Sequence, residues 1–179
     1  ETTIHEPLPS RDHTERMMRE MGADLTVDQL SIVVRRSQLS AMDVRVPGDM
    51  SSAAFWLIAG CCHPNARITV KGISINPSRT GILDVLKTMG AQLKIENVQE
   101  TGGGPSADLI VESSDLKATE ISGDIIPRVI DELPLLALAA CFAKGTTIIR
   151  DAQELRFKES DRIQATVAGL TRLGARIEG

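Results

Sequence analysis

Apolar positions recur at three- and four-residue steps in five stretches of the chain, and each predicts a helix. They are Met17, Met18 and Met21 before Gly22, "SSAAFWLIAGCC" (51–62), "RTGILDVLKTMG" (79–90), "LPLLALAACFA" (133–143), and Ile163, Val167 and Leu170 before Gly174. Between them, strict alternation predicts strands at "DVRVP" (43–47), "ARITVK" (66–71), "AQLKIENVQ" (91–99), "ADLIVES" (107–113), "ATEIS" (118–122) and "TTIIRD" (146–151). "TGGGPS" (101–106) has the composition of a hairpin loop.

Three segments repeat one pattern: "MREMGADLTV" (18–27), "LKTMGAQLKI" (86–95) and "LTRLGARIEG" (170–179). In each, a helix ends at Gly-Ala and a strand follows. Gly22, Gly90 and Gly174 stand 68 and 84 residues apart, at the position past a helix end that favours a left-handed residue. The element order through the middle copy is βαβαββ. The chain is therefore expected to be an α/β protein of tandem βαβαββ units, incomplete at both ends, with helices packed under sheets. The first copy keeps only its last helix and strands, about residues 11–34, and the last copy stops one strand short.

Hydrophobic residues make up 42% of the 179, enough for a core, while aromatics are 2% and Tyr is absent. Few stacking side chains and a net charge of −4 argue against a nucleic-acid partner. The longest apolar runs are too short to span a bilayer, so no membrane partner is expected. Cys61, Cys62 and Cys141 lie in apolar helical runs and read as small core residues of a reducing compartment, hence a cytoplasmic protein. His5, His13 and His63 lack ligand spacing, so no metal is expected. A chain that starts without Met and stops within a pattern reads as a fragment of a longer protein.

The densest charge is in "ELRFKESDRIQAT" (154–166), where a helix is expected to begin near Lys158. At a helical spacing of four, Lys158 and Arg162 would share a face and repel, with Glu159 between them. Two roles fit. The cluster is either a solvated helix start with Arg162 paired to Glu159, or an anion site in which the helix N-terminus and two cations meet a phosphate or carboxylate. In the second, Glu159 is held ionised or transfers a proton.

Asp131 precedes a long apolar helix and is either its cap or a functional acid; Pro134 lacks the N–H that such a cap would bind. In the repeat it stands roughly where the middle copy has Ser51. Ser10 and Arg11, ahead of the first helix, are either a cap with a solvated cation or another anion contact. Asp49 or Ser51 is expected to cap the second helix, and "NPSRTG" (76–81) the third, although Arg79 falls within one residue of the place of Arg162 in the repeat.

"EPLPSRDHTERMMREMGADL", "VPGDMSSAAFWLIAG", "NPSRTGILDVLKTMGA", "GDIIPRVIDELPLLALAA" and "ELRFKESDRI", taken in order, resemble the EPSP (5-enolpyruvylshikimate-3-phosphate) synthase family over essentially the whole chain, closest to its bacterial "SRDHTE" class. The resemblance implies transfer of the enolpyruvyl group of phosphoenolpyruvate to the 5-hydroxyl of shikimate 3-phosphate, on the route to aromatic amino acids, with no cofactor. It implies two domains of three βαβαββ units each. Residues 1–44 would be the tail of the first, 45–117 one unit of the second, and 118–179 a further, truncated unit. By the family pattern, Asp131 is the shikimate-side acid and Lys158 reaches shikimate 3-phosphate. Glu159 handles the methylene proton of phosphoenolpyruvate, which Arg162 binds; Ser10 and Arg11 contact the phosphate side of shikimate 3-phosphate. The family's early Lys-Ser…Arg set, its serine pair before a Gln, and its late Arg and Lys residues have no match here, so the chain alone is expected to be inactive. The parent is expected to be a monomer and the fragment to self-associate. Two rivals are the sister transferase acting on UDP-N-acetylglucosamine, which lacks the K-E-S-D-R run, and a non-catalytic module that docks a phosphorylated ligand.

Overall fold

The computed structural model describes residues 1–101 and 104–179; the centre of the expected "TGGGPS" loop lies outside the described residues. The N-terminal part holds β1 (Thr2–His5), α1 (His13–Glu20), β2 (Leu25–Asp28) and β3 (Ser31–Val34), with β3 between the other two in an antiparallel sheet. The middle part holds α2 (Met50–Cys62), β4 (Arg67–Ser74), a short 3-10 turn at Pro77–Arg79, α3 (Gly81–Thr88), β5 (Gln92–Thr101) and β6 (Gly104–Glu112). Its sheet is antiparallel, in the order β4-β6-β5. The C-terminal part holds β7 (Glu120–Ile121), α4 (Ile126–Val129), a 3-10 turn at Ile130–Glu132, α5 (Leu133–Ala140), β8 (Ile148–Ile149), a 3-10 segment at Gln153–Phe157 and α6 (Arg162–Arg172).

The core lies where α2, α3 and α5 meet the middle sheet. Met50, Leu57, Ile82, Leu86, Leu109 and Leu136 are buried there. Both α2 and α5 are apolar around most of their circumference, as expected of helices surrounded by other elements. On α2, Ser52, Phe55, Trp56 and Ala59 are nevertheless exposed. Asp49 caps α2, its Oδ2 accepting from the Ser52 amide at 2.8 Å. Asn76 caps the turn before α3, accepting from the Ser78 amide at 3.0 Å.

The helix stops foreseen at the repeated Gly-Ala pairs are present. Gly22, Gly90 and Gly174 have φ of 86°, 90° and 93°. In each, the glycine amide bonds three residues back and the following alanine amide five residues back, for example Ala91 N to Leu86 O at 2.9 Å.

Several expectations fail. No strand follows Gly174, since residues 175–179 form none, and Cys141, read as a core residue, is exposed. Residues 43–47 form no strand; only Gly48 pairs, as an isolated bridge to Ile73. Pro47 has no donor for a ladder, and the register of β4 shifts between Val70 and Ile73, where a neighbour would have paired. Likewise, the helix expected to begin near Lys158 does not: Gln153–Phe157 winds as a 3-10 segment, and α6 starts at Arg162 because Asp161 caps it, accepting from the Gln164 amide at 2.9 Å. Lys158 therefore precedes the helix and does not share a face with Arg162.

α3 packs against α4 at Gly81. A Cβ there would lie 2.9 Å from the Arg128 carbonyl oxygen and 3.0 Å from Val129 Cβ. Backbone cannot yield as a side-chain tip can. Gly81→Ala is expected to cost about 1–3 kcal/mol of stability in equilibrium denaturation, despite the better helix propensity of Ala. Unchanged stability would show that the α3–α4 contact is looser than it stands.

Candidate active site

Three arginines from distant parts of the chain converge on the carboxylate of Asp131. Arg11, in the segment entering α1, binds Oδ2. Arg79, at the end of the 3-10 turn before α3, donates from Nη1 to Oδ2 at 3.1 Å. Arg162, the first residue of α6, donates from Nη1 to Oδ1 at 3.3 Å. Asp131 caps no helix; its side chain makes no capping bond. The 3-10 turn before α5 turns it toward the arginines instead. Partial burial pushes its pKa up, but hydrogen bonds from Arg79 and Arg11, with their charges, outweigh this and hold the carboxyl below its ordinary value.

Arg162 also grips Glu159, through Nη2 at 2.6 Å and Nε at 3.1 Å. The hydrogen bond from Arg162 lowers the pKa of Glu159, and Lys158 adds only a small part. Glu159 is open to solvent, whereas Asp131 and Arg162 are each about three-quarters covered. Asp131, Arg162 and Ser51 line one part of an open groove of about 510 Å³ between α2, α5 and α6; Phe55, Leu135 and Leu138 supply apolar wall.

The remaining expected residues stand apart from this cluster. Ser10 Oγ donates to Glu6 Oε1 at 2.5 Å, and Lys158 pairs with Glu154. Arg11, though half exposed, is more than a solvated cation: it reaches Asp131, 120 residues away in sequence. Its neighbour Asp12, also no side-chain cap, accepts from Arg16 Nε and Asn76 Nδ2, each at 2.7 Å. This pins the entry to α1 against the turn that carries Arg79.

Arg79 and Glu132 were not foreseen as site residues. Arg79 Nη2 donates to Ser51 Oγ at 2.5 Å and lies 3.5 Å from Glu132 Oε1, while Ser51 Oγ donates to the same Oε1 at 2.5 Å. The repeat did carry a signal for Arg79. It and Arg162 occupy nearly equivalent places in successive units, and both end on Asp131. Ser51 and Asp131, also near-equivalents, meet through Arg79 and Glu132. Among the described residues, no group of three or more His, Cys, Asp or Glu side chains is placed to hold a metal ion, and no helix is long and apolar enough to cross a membrane.

The arrangement is an ion cluster, beside an open groove, in which Arg11, Arg79 and Arg162 meet Asp131 while Glu132 and Glu159 pair with Arg79 and Arg162. It can receive anions, and it presents two carboxylates that can exchange protons. The family model described as EPSP synthase (3-phosphoshikimate 1-carboxyvinyltransferase) matches residues 1–179. The chain is 54% identical to the 3-phosphoshikimate 1-carboxyvinyltransferase of Bacillus subtilis over 99% of its length, and 53% identical to that of Gloeobacter violaceus over 99%. It spans about two-fifths of those relatives: 42% and 41% of their lengths. An EPSP synthase structure from Acinetobacter baumannii superposes with a TM-score of 0.88 at 42% identity, over 95% of this chain and 39% of that one. The enolpyruvyl transferase NikO from Streptomyces tendae shares the fold, with a TM-score of 0.63 at 22% identity over 84% of this chain and 35% of that one.

Proposed function

Because the chain belongs to the EPSP synthase (3-phosphoshikimate 1-carboxyvinyltransferase) family, we propose that its parent protein transfers the enolpyruvyl group of phosphoenolpyruvate to the 5-hydroxyl of shikimate 3-phosphate and releases phosphate. The observation that carries this is the convergence of Arg11, Arg79 and Arg162 on Asp131. Two polyanionic substrates need cations from more than one wall, and these cations come from the segment before α1 and from both later parts of the chain.

The roles follow from the chemistry. Replacing phosphate by an alkoxy oxygen at the enolpyruvyl carbon, while its double bond survives, requires a proton to be added to the neighbouring methylene and then removed. Glu159, exposed beside Arg162, is assigned that proton. Asp131 takes the proton of the attacking 5-hydroxyl. Arg162 binds phosphoenolpyruvate; Arg11, Ser10 and Lys158 bind shikimate 3-phosphate. Ser10 and Lys158 now pair with Glu6 and Glu154, partners that a substrate phosphate would replace. Arriving anions would draw Arg11 and Arg162 away from Asp131, relieving the ion pairs that depress its pKa and making it a better base.

Residues 1–44 are assigned to the tail of one domain, 45–117 and 118–179 to two units of another, with the substrates between domains. The parent is assigned to the cytoplasm as a monomer. The chain alone is assigned as inactive and self-associating through exposed Phe55, Trp56, Phe142 and Leu173.

Calorimetric titration of the full-length protein tests the anion site. Arg162→Ala is expected to weaken phosphoenolpyruvate binding, and Lys158→Ala shikimate 3-phosphate binding, by about ten- to hundred-fold, the equivalent of one charge-assisted hydrogen bond. Normal affinity in both variants would remove these cations from the site.

A further inference from the structure

Glu132 is buried to 1% exposure, yet its Oε2 has no hydrogen-bond partner among the described residues. Placing a carboxyl there is costly. Close by along the chain, Val129, Leu133 and Leu136 are buried apolar side chains. What the carboxyl does provide is Oε1, which accepts from Ser51 Oγ at 2.5 Å and lies 3.5 Å from Arg79 Nη2. Arg79 is thereby held along one edge by Ser51 and Glu132, while its Nη1 rests on Asp131.

The arginines around Asp131 differ in freedom. The Arg79 side chain is 11% exposed, against 27% for Arg162 and 49% for Arg11. Arg11 makes no ion pair other than that to Asp131 among the described residues, and the second partner of Arg162, Glu159, is itself solvent-exposed. Only Arg79 is anchored from behind.

We propose that Glu132, with Ser51, is a positioning residue that keeps Arg79 on the Asp131 carboxylate through the reaction, while Arg11 and Arg162 exchange Asp131 for substrate anions. The inference rests on the assignment of Asp131 as proton acceptor. It divides the arginines into two movable ligand cations and one fixed orienting cation, which stays as the remaining ion-pair partner of Asp131 and sets both the direction and the basicity of that carboxylate. The charged groups facing Asp131 are Arg11 from the segment before α1, Arg79 from the turn before α3, Arg162 from α6, and Glu132 beside it; Glu159 stands behind Arg162, and Asp49 is 3.8 Å from Arg79 Nη2. Burial raises the pKa of Glu132, which eases protonation of the carboxyl without removing Oε1 as an acceptor.

The test uses the full-length protein with Arg79→Met, Glu132→Leu and Glu132→Gln, measuring kcat and KM for phosphoenolpyruvate and shikimate 3-phosphate against pH, per folded molecule. Arg79→Met is expected to lower kcat by about 10²-fold with little change in either KM, since orientation and not binding is lost. Its acid limb should move up by about one pH unit, because Asp131 loses the cation that keeps it ionised. Glu132→Leu should lower kcat in the same direction, and Glu132→Gln, which keeps an acceptor oxygen, should restore it. A tenfold or larger rise in KM for Arg79→Met, about 1.4 kcal/mol of binding, would overturn the proposal by making Arg79 a ligand cation. So would an unmoved acid limb in folded Arg79→Met, or a Glu132→Gln protein no better than Glu132→Leu. A wild-type protein that does not turn over the two substrates would overturn the reaction assignment and this inference together; one that does, with an unmoved limb, overturns the inference alone.

Discussion

Glu159→Gln in the full-length protein is expected to lower turnover by about 10²- to 10⁴-fold, the range that general acid–base groups supply. The substitution keeps the side-chain shape and an oxygen that can still accept from Arg162, so phosphoenolpyruvate binding should change little. What disappears is the ability to give a proton to the methylene carbon and take one back. Glu159 suits this task because it is solvent-exposed beside Arg162, which lines the groove and fixes the direction of the carboxylate at 2.6 Å. Solvent-derived deuterium entering the methylene group of phosphoenolpyruvate in the presence of shikimate 3-phosphate is the readout. Exchange at the wild-type rate in Glu159→Gln would assign the proton to another group.

Asp131→Asn should have an effect of similar size, for a different reason. Asparagine can still accept a hydrogen bond, but it carries no charge against Arg11, Arg79 and Arg162 and takes no proton from a hydroxyl. Turnover is again expected to fall by about 10²- to 10⁴-fold. Stability should respond in a pH-dependent way. The folded pKa of Asp131 is depressed, so its ion pairs stabilise the fold above the ordinary carboxylate pKa of about 4, and that contribution is lost as pH falls through the folded value. The wild-type and Asn proteins should therefore converge in stability at low pH. A variant that loses stability but keeps its turnover per folded molecule would make Asp131 an anchor for three arginines and nothing more.

The helices were legible because 3.6-residue periodicity and the Gly-Ala stops agree. At Gly22, Gly90 and Gly174 the residue that ends the pattern is also the one whose left-handed backbone ends the helix. The strand expected at 43–47 was not, because alternation says nothing about whether an edge is available, and Pro47 and the β4 irregularity remove that edge. At the site, local pattern misled in one place: spacing put Lys158 and Arg162 on one helix face, while the cap at Asp161 starts the helix after Lys158. The pairing of Arg162 with Glu159, the plainer of the two roles, is present; the structure joins it to Asp131 as well.

Arg79 and Glu132 were obscured by stronger local signals. "NPSRTG" reads as a cap and turn, which it is, and "IDELPLLAL" reads as the entry to an apolar helix, which it also is. Their second role depends on contacts across 52 and 53 residues that no window contains. Only the repeat, by setting Arg79 against Arg162, pointed toward it.

The central claim is that this chain supplies most of one wall, and through Ser10 and Arg11 a part of the opposing wall, of the proposed site at which phosphoenolpyruvate and shikimate 3-phosphate react. Release of phosphate tests it most directly, measured for the full-length protein and for the 179-residue chain at equal concentration. The full-length protein is expected to release phosphate only when both substrates are present, and the isolated chain to release none above a Glu159→Gln control. Release by the full-length protein with UDP-N-acetylglucosamine in place of shikimate 3-phosphate, or turnover by the isolated chain, would contradict the account.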